Sequence, residues 1–403
     1  MNETTFTNAR LTDGLLHDLH VRNGRIVTIR PASVEPVSGP VVDIAGDLLV
    51  SGFVEGHIHL DTSFYGGQWV PHRPCTNGFD VHERVAFQAE NMANAEPMAE
   101  RAIKQLELCL SHGTLHMRSH VMVDSSVGLT SLETILAVRE QYKEMIDIQI
   151  VAFPQSGILK SPGTKDLLDE AIGCGADLIG GLDPASFDRD VTAHLDVVFG
   201  IAEKRGVDVD IHLHEGGSMG AFTVEEICAR TDALGMQGHV SISHAYGLGD
   251  LDLDAARKIA AKIARSGISI MTNAPGHHSF PPIALLCAEG VNVFSGSDNI
   301  RDSWWPYGDG DMLRRAEIIG YRSGFFTDDA LNAAFEIVTE AGAKALRLEG
   351  YGLQVGAMAD FVAIPARHIP QAVVGFPAKR RVFKRGRLVA QNGDVCAPNK
   401  GPR

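Results

Sequence analysis

Eight short apolar runs alternate with helical patterns through the middle of this chain, and that alternation limits the fold more than any other feature. The runs are Phe53 to Leu60, Thr114 to Val121, Ile146 to Phe153, Ala176 to Leu182, Val207 to Leu213, His239 to His244, Gly267 to Thr272 and Val291 to Phe294. Helical periodicity falls between or after them at Met98 to Leu110, Ser131 to Tyr142, Thr164 to Ile172, Thr192 to Lys204, Val224 to Leu234, Leu253 to Ala264, Pro282 to Ala288 and Met312 to Gly320. Several of these segments stop at a glycine just before the next run, as at Gly206, Gly267 and Gly290. Strand and crossover helix repeated eight times is the pattern that closes a (β/α)8 TIM barrel.

The two ends read differently. Leu15 to Val21, Arg25 to Ile29 after the Asn23-Gly24 turn, and Val41 to Val50 are strand-like, as are Ala359 to Ile364, Lys379 to Lys384 and Arg387 to Gln391. Such pieces need a partner sheet to bury an inner face. Both termini are therefore expected to form one small β-sandwich domain, residues 1–52 plus 350–403, beside a barrel of residues 53–349.

The 403 residues are 44% apolar and 21% charged, ordinary globular values that suit a large barrel with an appended domain. Formal net charge is −14, and Lys379-Arg380-Arg381 is the nearest approach to a basic cluster. That excludes nucleic acid and an anionic membrane as partners. No apolar run reaches the ~18 residues of a membrane span, and the Met1-Asn2-Glu3-Thr4 start lacks the pattern of a signal peptide. Cys75, Cys109, Cys174, Cys228, Cys287 and Cys396 form no CxxC pair, so free thiols and a cytoplasmic location are expected.

Polar residues cluster where the barrel would place its reactive face. His57 and His59 close the first run, Gln155 follows the third, Asp183 ends the fourth, His212, His214 and Glu215 close the fifth, His244 closes the sixth, and Asp298 follows the eighth. The C-terminal ends of barrel strands meet around one mouth. His57 and His59, two apart on a strand, share a face. With His212 and Asp298 they form a ligand set suited to one divalent metal ion, Zn²⁺ or Fe²⁺, with a position left for water. A bound cation lowers the pKa of that water from 15.7 to about 7, and the hydroxide can attack a trigonal carbon. Asp298 is placed to take the proton, Glu215 to pass one to a ring nitrogen or leaving amine, and His244 to polarise the substrate or orient the hydroxide. His214 shares a face with His212 and reads as a second-metal ligand, a substrate contact or a hydrogen-bonding support. Asp183 either reads a substrate amino group or forms a turn before Pro184, and Trp304 and Trp305 either stack on a planar ring or pack. His116, His120, His277 and His278 are not expected to be ligands, although a supporting or substrate role stays open for His120 at the end of the second run.

These residues closely resemble the amidohydrolase superfamily, in its branch of cytosine deaminase and N-isopropylammelide amidohydrolase. The likeness covers most of the chain. It is clearest in Gly56-His57-Ile58-His59-Leu60-Asp61-Thr62, in the stretch from Asp147 through Pro154-Gln155-Ser156-Gly157 to Ile158, in Ser243-His244, and from Ser297-Asp298-Asn299 to Gly308. The resemblance implies metal ligands at His57, His59, His212 and Asp298, catalytic residues at Glu215 and His244, and a substrate-amide contact at Gln155. It implies hydrolytic loss of an exocyclic amine from a small-molecule N-heterocyclic substrate. Binuclear members carry a lysine late in strand four, and Asp177 to Pro184 has none, so one metal is expected. Homo-oligomers are common in the branch, but no interface signal stands out here. Cytosine deaminase proper reads His-Cys-Asp-Glu where this chain has His212-Leu213-His214-Glu215, carries an acidic residue after strand two where this chain reads His120-Val121-Met122, and pairs Asp-Asp where this chain has Asp298-Asn299. The ligands are kept and the groups nearest the substrate differ. Two other classes fit the same residues: a cyclic-amide or N-acyl amide hydrolase, and a catalytically silent metal-binding scaffold.

Overall fold

The computed structural model describes residues 3–33, 39–276 and 278–397. Met1, Asn2, the last residues of the C-terminal segment and His277 lie outside them. Two sheets organise the chain. The terminal sheet has β1 (Glu3–Arg10), β2 (Leu16–Arg22), β3 (Arg25–Pro31), β4 (Val41–Asp43) and β5 (Leu48–Ser51) from the start. The barrel follows as β6 (Phe53–Ile58), β7 (Thr114–Met122), β8 (Asp147–Phe153), β9 (Leu178–Leu182), β10 (Asp208–His212), β11 (Val240–Ser243), β12 (Ser269–Met271) and β13 (Asn292–Phe294). The chain then returns to the terminal sheet as β14 (Phe361–Ile364), β15 (Arg381–Lys384), β16 (Arg387–Gln391) and β17 (Asp394–Val395).

The barrel strands lie in sequence order, all parallel, and every expected run became a strand. Helices connect them, and Leu253–Arg265 shows why. Its buried residues Ala256, Ile259, Ala260 and Ile263 recur at helical spacing, and Asp252 caps its start by accepting from Ala255 N. The seam between β6 and the chain after β13 closes through an Ile58–Asp298 bridge and through Asp298 N donating to His57 O at 2.7 Å. Glycine is required there. A Cβ at Gly296 would lie 2.4 Å from both His57 N and His57 O, and one at Gly56 would lie 2.5 Å from Phe294.

The terminal sheet runs β17-β16-β15-β14-β5-β1-β2-β3, with β4 beside β1. Phe6 on β1 meets Phe361 on β14 at 4.8 Å and Phe383 on β15 at 5.1 Å between ring centroids. Neighbouring strands are about 4.8 Å apart, so residues two and three strands away touch only if the sheet folds over on itself as a sandwich. Both chain ends thus share one small core.

The differences from expectation are local. Val41 to Val50 splits into β4 and β5 because Ala45 and Gly46 turn at positive φ. The helix Gly217–Ala233 begins well before Val224, with Gly216 as its N-cap. The sequence pattern did not announce β1, β17, or the helices Val81–Met92, Asp328–Ile337, Glu340–Ala345 and Ile369–Gly375.

Candidate metal centre and active site

The strand ends bring His57, His59, His212, His244 and Asp298 together. Asp298 Oδ1 lies 3.5 Å from both His57 Nε2 and His59 Nε2, and His212 Nε2 faces His59 Nε2 at 3.4 Å. His244 Nδ1 is 4.0 Å from Asp298 Oδ2, which accepts from Asn273 Nδ2 at 2.8 Å. Asp298, His244 and Asp183 all sit at positive φ, a conformation that non-glycine residues hold only when their surroundings impose it.

The ring orientation of His57 follows from the groups behind it. Arg118 donates to Asp210 at 2.9 Å, and Ser243 Oγ donates to Asp210 at 2.7 Å. The Ser243 oxygen is then left to accept from His57 Nδ1 at 2.9 Å. That fixes the proton on Nδ1 and leaves Nε2 as a bare lone pair, buried and without a hydrogen-bond partner. Burial also keeps the pKa values of His212 and His244 well below the usual imidazole range, so both are neutral. Imidazole nitrogens from separate strand ends converging on one carboxylate, with His57 Nε2 and both His244 nitrogens buried and without a described hydrogen-bond partner, fit a divalent cation.

His120 is closer than the sequence suggested. It is fully buried, its ring lies 3.9 Å from that of His57, and it offers a nitrogen within 4.8 Å of ligand atoms of His57 and His212. It therefore belongs to the same cluster. His116 lies at the opposite end of the barrel, and His278 packs against Phe79 and Tyr246 in the outer loops.

Two spaces that share walls adjoin the cluster. The inner one, about 20 Å³, has His59, Phe153, Gln155, Leu182, His212 and His244 among its walls. The outer one, about 1200 Å³, opens beyond it, and His214, Asp298, Asn299 and Trp304 line both. Gln155 is buried at the inner wall, and no described residue bonds its side-chain amide. Trp304 lies nearly parallel to His214, at 19° and 6.3 Å, and donates Nε1 to Gln88 at 2.6 Å.

His214 and Asp183 form a unit. Asp183 accepts from the His214 backbone N at 2.6 Å and holds its Nδ1 at 2.9 Å. Burial opposes charge on the ring, but the Asp183 carboxylate overcomes it and raises the His214 pKa. Asp183 itself is fully buried and lines neither space. Both of its carboxylate oxygens are engaged by His214, one by the backbone N and one by the ring. Glu215 also lines neither space. Its carboxylate accepts from Ala185 N at 2.6 Å, Ser186 N at 2.9 Å and Thr223 Oγ1 at 2.6 Å, while burial raises its pKa.

Sequence reasoning missed Gln88, Asn273, Asp302 and Glu55, and marked Asn299 only as the residue beside Asp298. Glu55 lies beneath the Asp298 loop, accepts from Ser297 N at 2.6 Å, and is pushed up to about 7 by burial. Asp302 accepts from Trp304 N, Trp305 N and Asn299 Nδ2, and burial pushes it up to about 6. Gln88 sits on Val81–Met92, whose signal was present as Asp80-Val81-His82-Glu83: Asp80 accepts from Glu83 N and caps the helix.

Comparison with known proteins agrees with this geometry. A model of the amidohydrolase family matches residues 40–396. The chain is 31% identical over 387 residues to the N-isopropylammelide isopropyl amidohydrolase of Pseudomonas sp. (strain ADP), covering 95% of each. The crystal structure of N-isopropylammelide isopropylaminohydrolase from Burkholderia multivorans ATCC 17616 matches with a TM-score of 0.93 at 40% identity, over 98% of this chain and all 100% of that one. The 5-methylcytosine deaminase from Klebsiella pneumoniae, liganded with phosphonocytosine, matches with a TM-score of 0.86 at 28% identity, over 96% of this chain and 98% of that one. Among the described residues no helix is long and apolar enough to cross a membrane. By its barrel, its strand-end histidines and aspartate, and a match over nearly its whole length, this chain belongs to the amidohydrolase family of hydrolases.

Proposed function

We propose that this chain is a metal-dependent aminohydrolase that removes an exocyclic amine from a small nitrogen heterocycle. The observation that carries the reading is the inner space, where the ligand cluster, the Gln155 amide and His214, held from behind by Asp183, face one another across room for little more than a water molecule. Only the scissile end of a substrate fits there. Relatives named for N-isopropylammelide and 5-methylcytosine support the substrate class.

His57, His59, His212 and Asp298 would hold one divalent cation, Zn²⁺ or Fe²⁺, which when bound supplies a water acidic enough to ionise near neutral pH. Asp298 takes up a proton through a carboxylate that Asn273 keeps in place. His214, with Nδ1 on Asp183, has Nε2 left to hand a proton to the leaving amine or ring nitrogen. His244 stacks on His214 at 4.5 Å and borders Asp298, so it orients both. Gln155 reads the ring amide edge, and Trp304 covers a ring face. In this reading Glu215 acts at one remove, pinning Ala185 and Ser186 in the loop that begins at Asp183. Residues 53–349 carry the chemistry, and 1–52 plus 350–403 support it.

The test is purified protein loaded with one equivalent of Zn²⁺ or Fe²⁺ and offered aminopyrimidines and amino-triazines. Release of ammonia or an alkylamine, with oxygen replacing the amine in the mass spectrum, is the expected result. Simple addition of water would assign the site to a cyclic-amide hydrolase instead, and no turnover on any ring would remove the proposal.

A further inference from the structure

The outer space has an unbalanced charge. Arg84, Arg315 and Arg322 all line it, and among the described residues none pairs with a carboxylate. Their guanidinium heads donate to neutral backbone carbonyls: Arg84 to Arg73 and Ser303, Arg315 to Asn273 and Ser297, and Arg322 to Gly276 and His278. The acidic groups of the same wall are already engaged. Asp309 pairs with Arg314 at 2.6 Å, Asp311 is clasped by both terminal nitrogens of Arg380 at 2.7 Å, and Asp298 belongs to the ligand cluster. A chain of net charge −14 therefore gathers cations with no carboxylate partners where its substrate enters.

Carbonyl partners fix a guanidinium without cancelling its charge, and a cavity wall of low dielectric focuses the resulting field inward. Arg315 lies near Glu55 and Asp298, whose charges it offsets. Among the described residues Arg84 and Arg322 have no carboxylate within ion-pair reach. Both terminal donors of Arg84 through which it is fixed sit on Nη1, so the Nη2 fork is left for another acceptor. The same space is also lined by aromatic side chains, Phe79, Trp304 and Trp305.

We propose that the heterocycle carries an anionic oxygen group, either a carboxylate or an ionised ring imide, on the edge away from the scissile amine, and that Arg84 and Arg322 recognise it across the outer space. This rests on the aminohydrolase reading for the placement of the amine. The charge preference itself is a property of binding, which separates the two in experiment.

Metal-loaded protein is titrated calorimetrically with cytosine as the neutral probe, cytosine-5-carboxylate as the carboxylate probe, and an amino-oxo-triazine above its imide pKa as the ring-anion probe. At least one anionic probe is expected to bind about tenfold or more tighter than cytosine at low salt, with the advantage shrinking as salt rises. Whichever anionic probe shows the advantage identifies the source of the charge. Arg84→Met and Arg322→Met should each erode it, read as the ratio of anionic-probe to cytosine affinity within the same variant, while leaving metal content unchanged. The salt series on the unmodified protein serves if either variant fails to fold. Equal or weaker binding of both anions, an advantage that survives both substitutions, or no binding of any probe would overturn the proposal. Ammonia release, followed in parallel, reports on the other reading: preference without turnover counts against the deaminase assignment alone, and turnover of cytosine without preference counts against this one alone.

Discussion

The barrel holds a His-carboxylate cluster at each end, and the two differ in what stands between their ligand atoms. At the mouth, His57, His59 and Asp298 converge with no lysine or arginine among them in the described residues. At the floor, His116, Asp147 and Asp360 lie equally close together, but the Lys384 ammonium is inserted, 2.6 Å from Asp147 and 2.7 Å from Asp360. The same residue types at the same spacing therefore mean different things. The floor carries its own cation on a side chain and joins the terminal sheet to the barrel, since Asp360 and Lys384 come from one and His116 and Asp147 from the other. The mouth leaves that place for a cation from solution.

The largest expected effect tests this contrast directly. His57→Ala or Asp298→Ala should abolish stoichiometric metal binding and lower turnover by about 10⁴ or more, since several kcal/mol of transition-state stabilisation depend on the cation. His116→Ala should leave metal content, measured by elemental analysis, at the unmodified value. Loss of metal from the His116 variant would mean that the floor is a metal site too and would end the comparison.

Next comes the floor's own cation. Lys384 is fully buried, and Lys384→Met leaves Asp360 buried beside a methyl group. Removing one member of such a pair costs about 3 kcal/mol, the low end of the usual range, because the Asp147 side chain is 44% exposed and water can reach it. Denaturant unfolding should show that loss with metal affinity unchanged.

The contrast also explains what could be read from the sequence. All eight barrel strands were legible because they are apolar runs bounded by glycines and helical periodicity, and the mouth was legible because His57, His59, His212, His244 and Asp298 all fall at run ends. Strand β1 was not, since Glu3–Arg10 buries Phe6 and Ala9 around a register shift with Asn8 at positive φ, which breaks the two-residue alternation. The anchoring of the Glu215 carboxylate was equally hidden. Its partners Ala185 and Ser186 belong to a different βα loop, and only the closed barrel brings them to it. The floor cluster draws on four distant segments, so no local motif marks it.

A smaller effect separates proton handling from metal binding within the mouth. His214→Gln keeps a hydrogen bond to Asp183 but cannot titrate, so kcat should fall about a hundredfold with metal content intact. Asp183→Asn should fall less and should shift the acid–base limb of the kcat profile, because His214 loses the carboxylate that raises its pKa. Glu215→Ala should resemble neither: it frees the Ala185-Ser186 loop, and its activity loss should be partly restored by Glu215→Gln.

The smallest effect is a difference of sign between the two ends in metal-free protein. Burial pushes Asp302 at the mouth up to about 6, so its contribution to stability is fully present below its unfolded pKa near 4 and is lost as pH rises through 6. Burial acts in the same direction on Asp147 at the floor, but His116 and Lys384 overcome it and hold the carboxyl well below the usual range. Its contribution is present above the unfolded pKa and is lost as pH falls below about 4. Each slope is at most about 1.4 kcal/mol per pH unit. Melting temperature against pH should flatten between 4 and 6 in Asp302→Asn, and should flatten only below 4 in Lys384→Met. If one substitution flattened both limbs, the two ends would share a single titration, and the separation between a floor closed by its own lysine and a mouth open to a cation would fail.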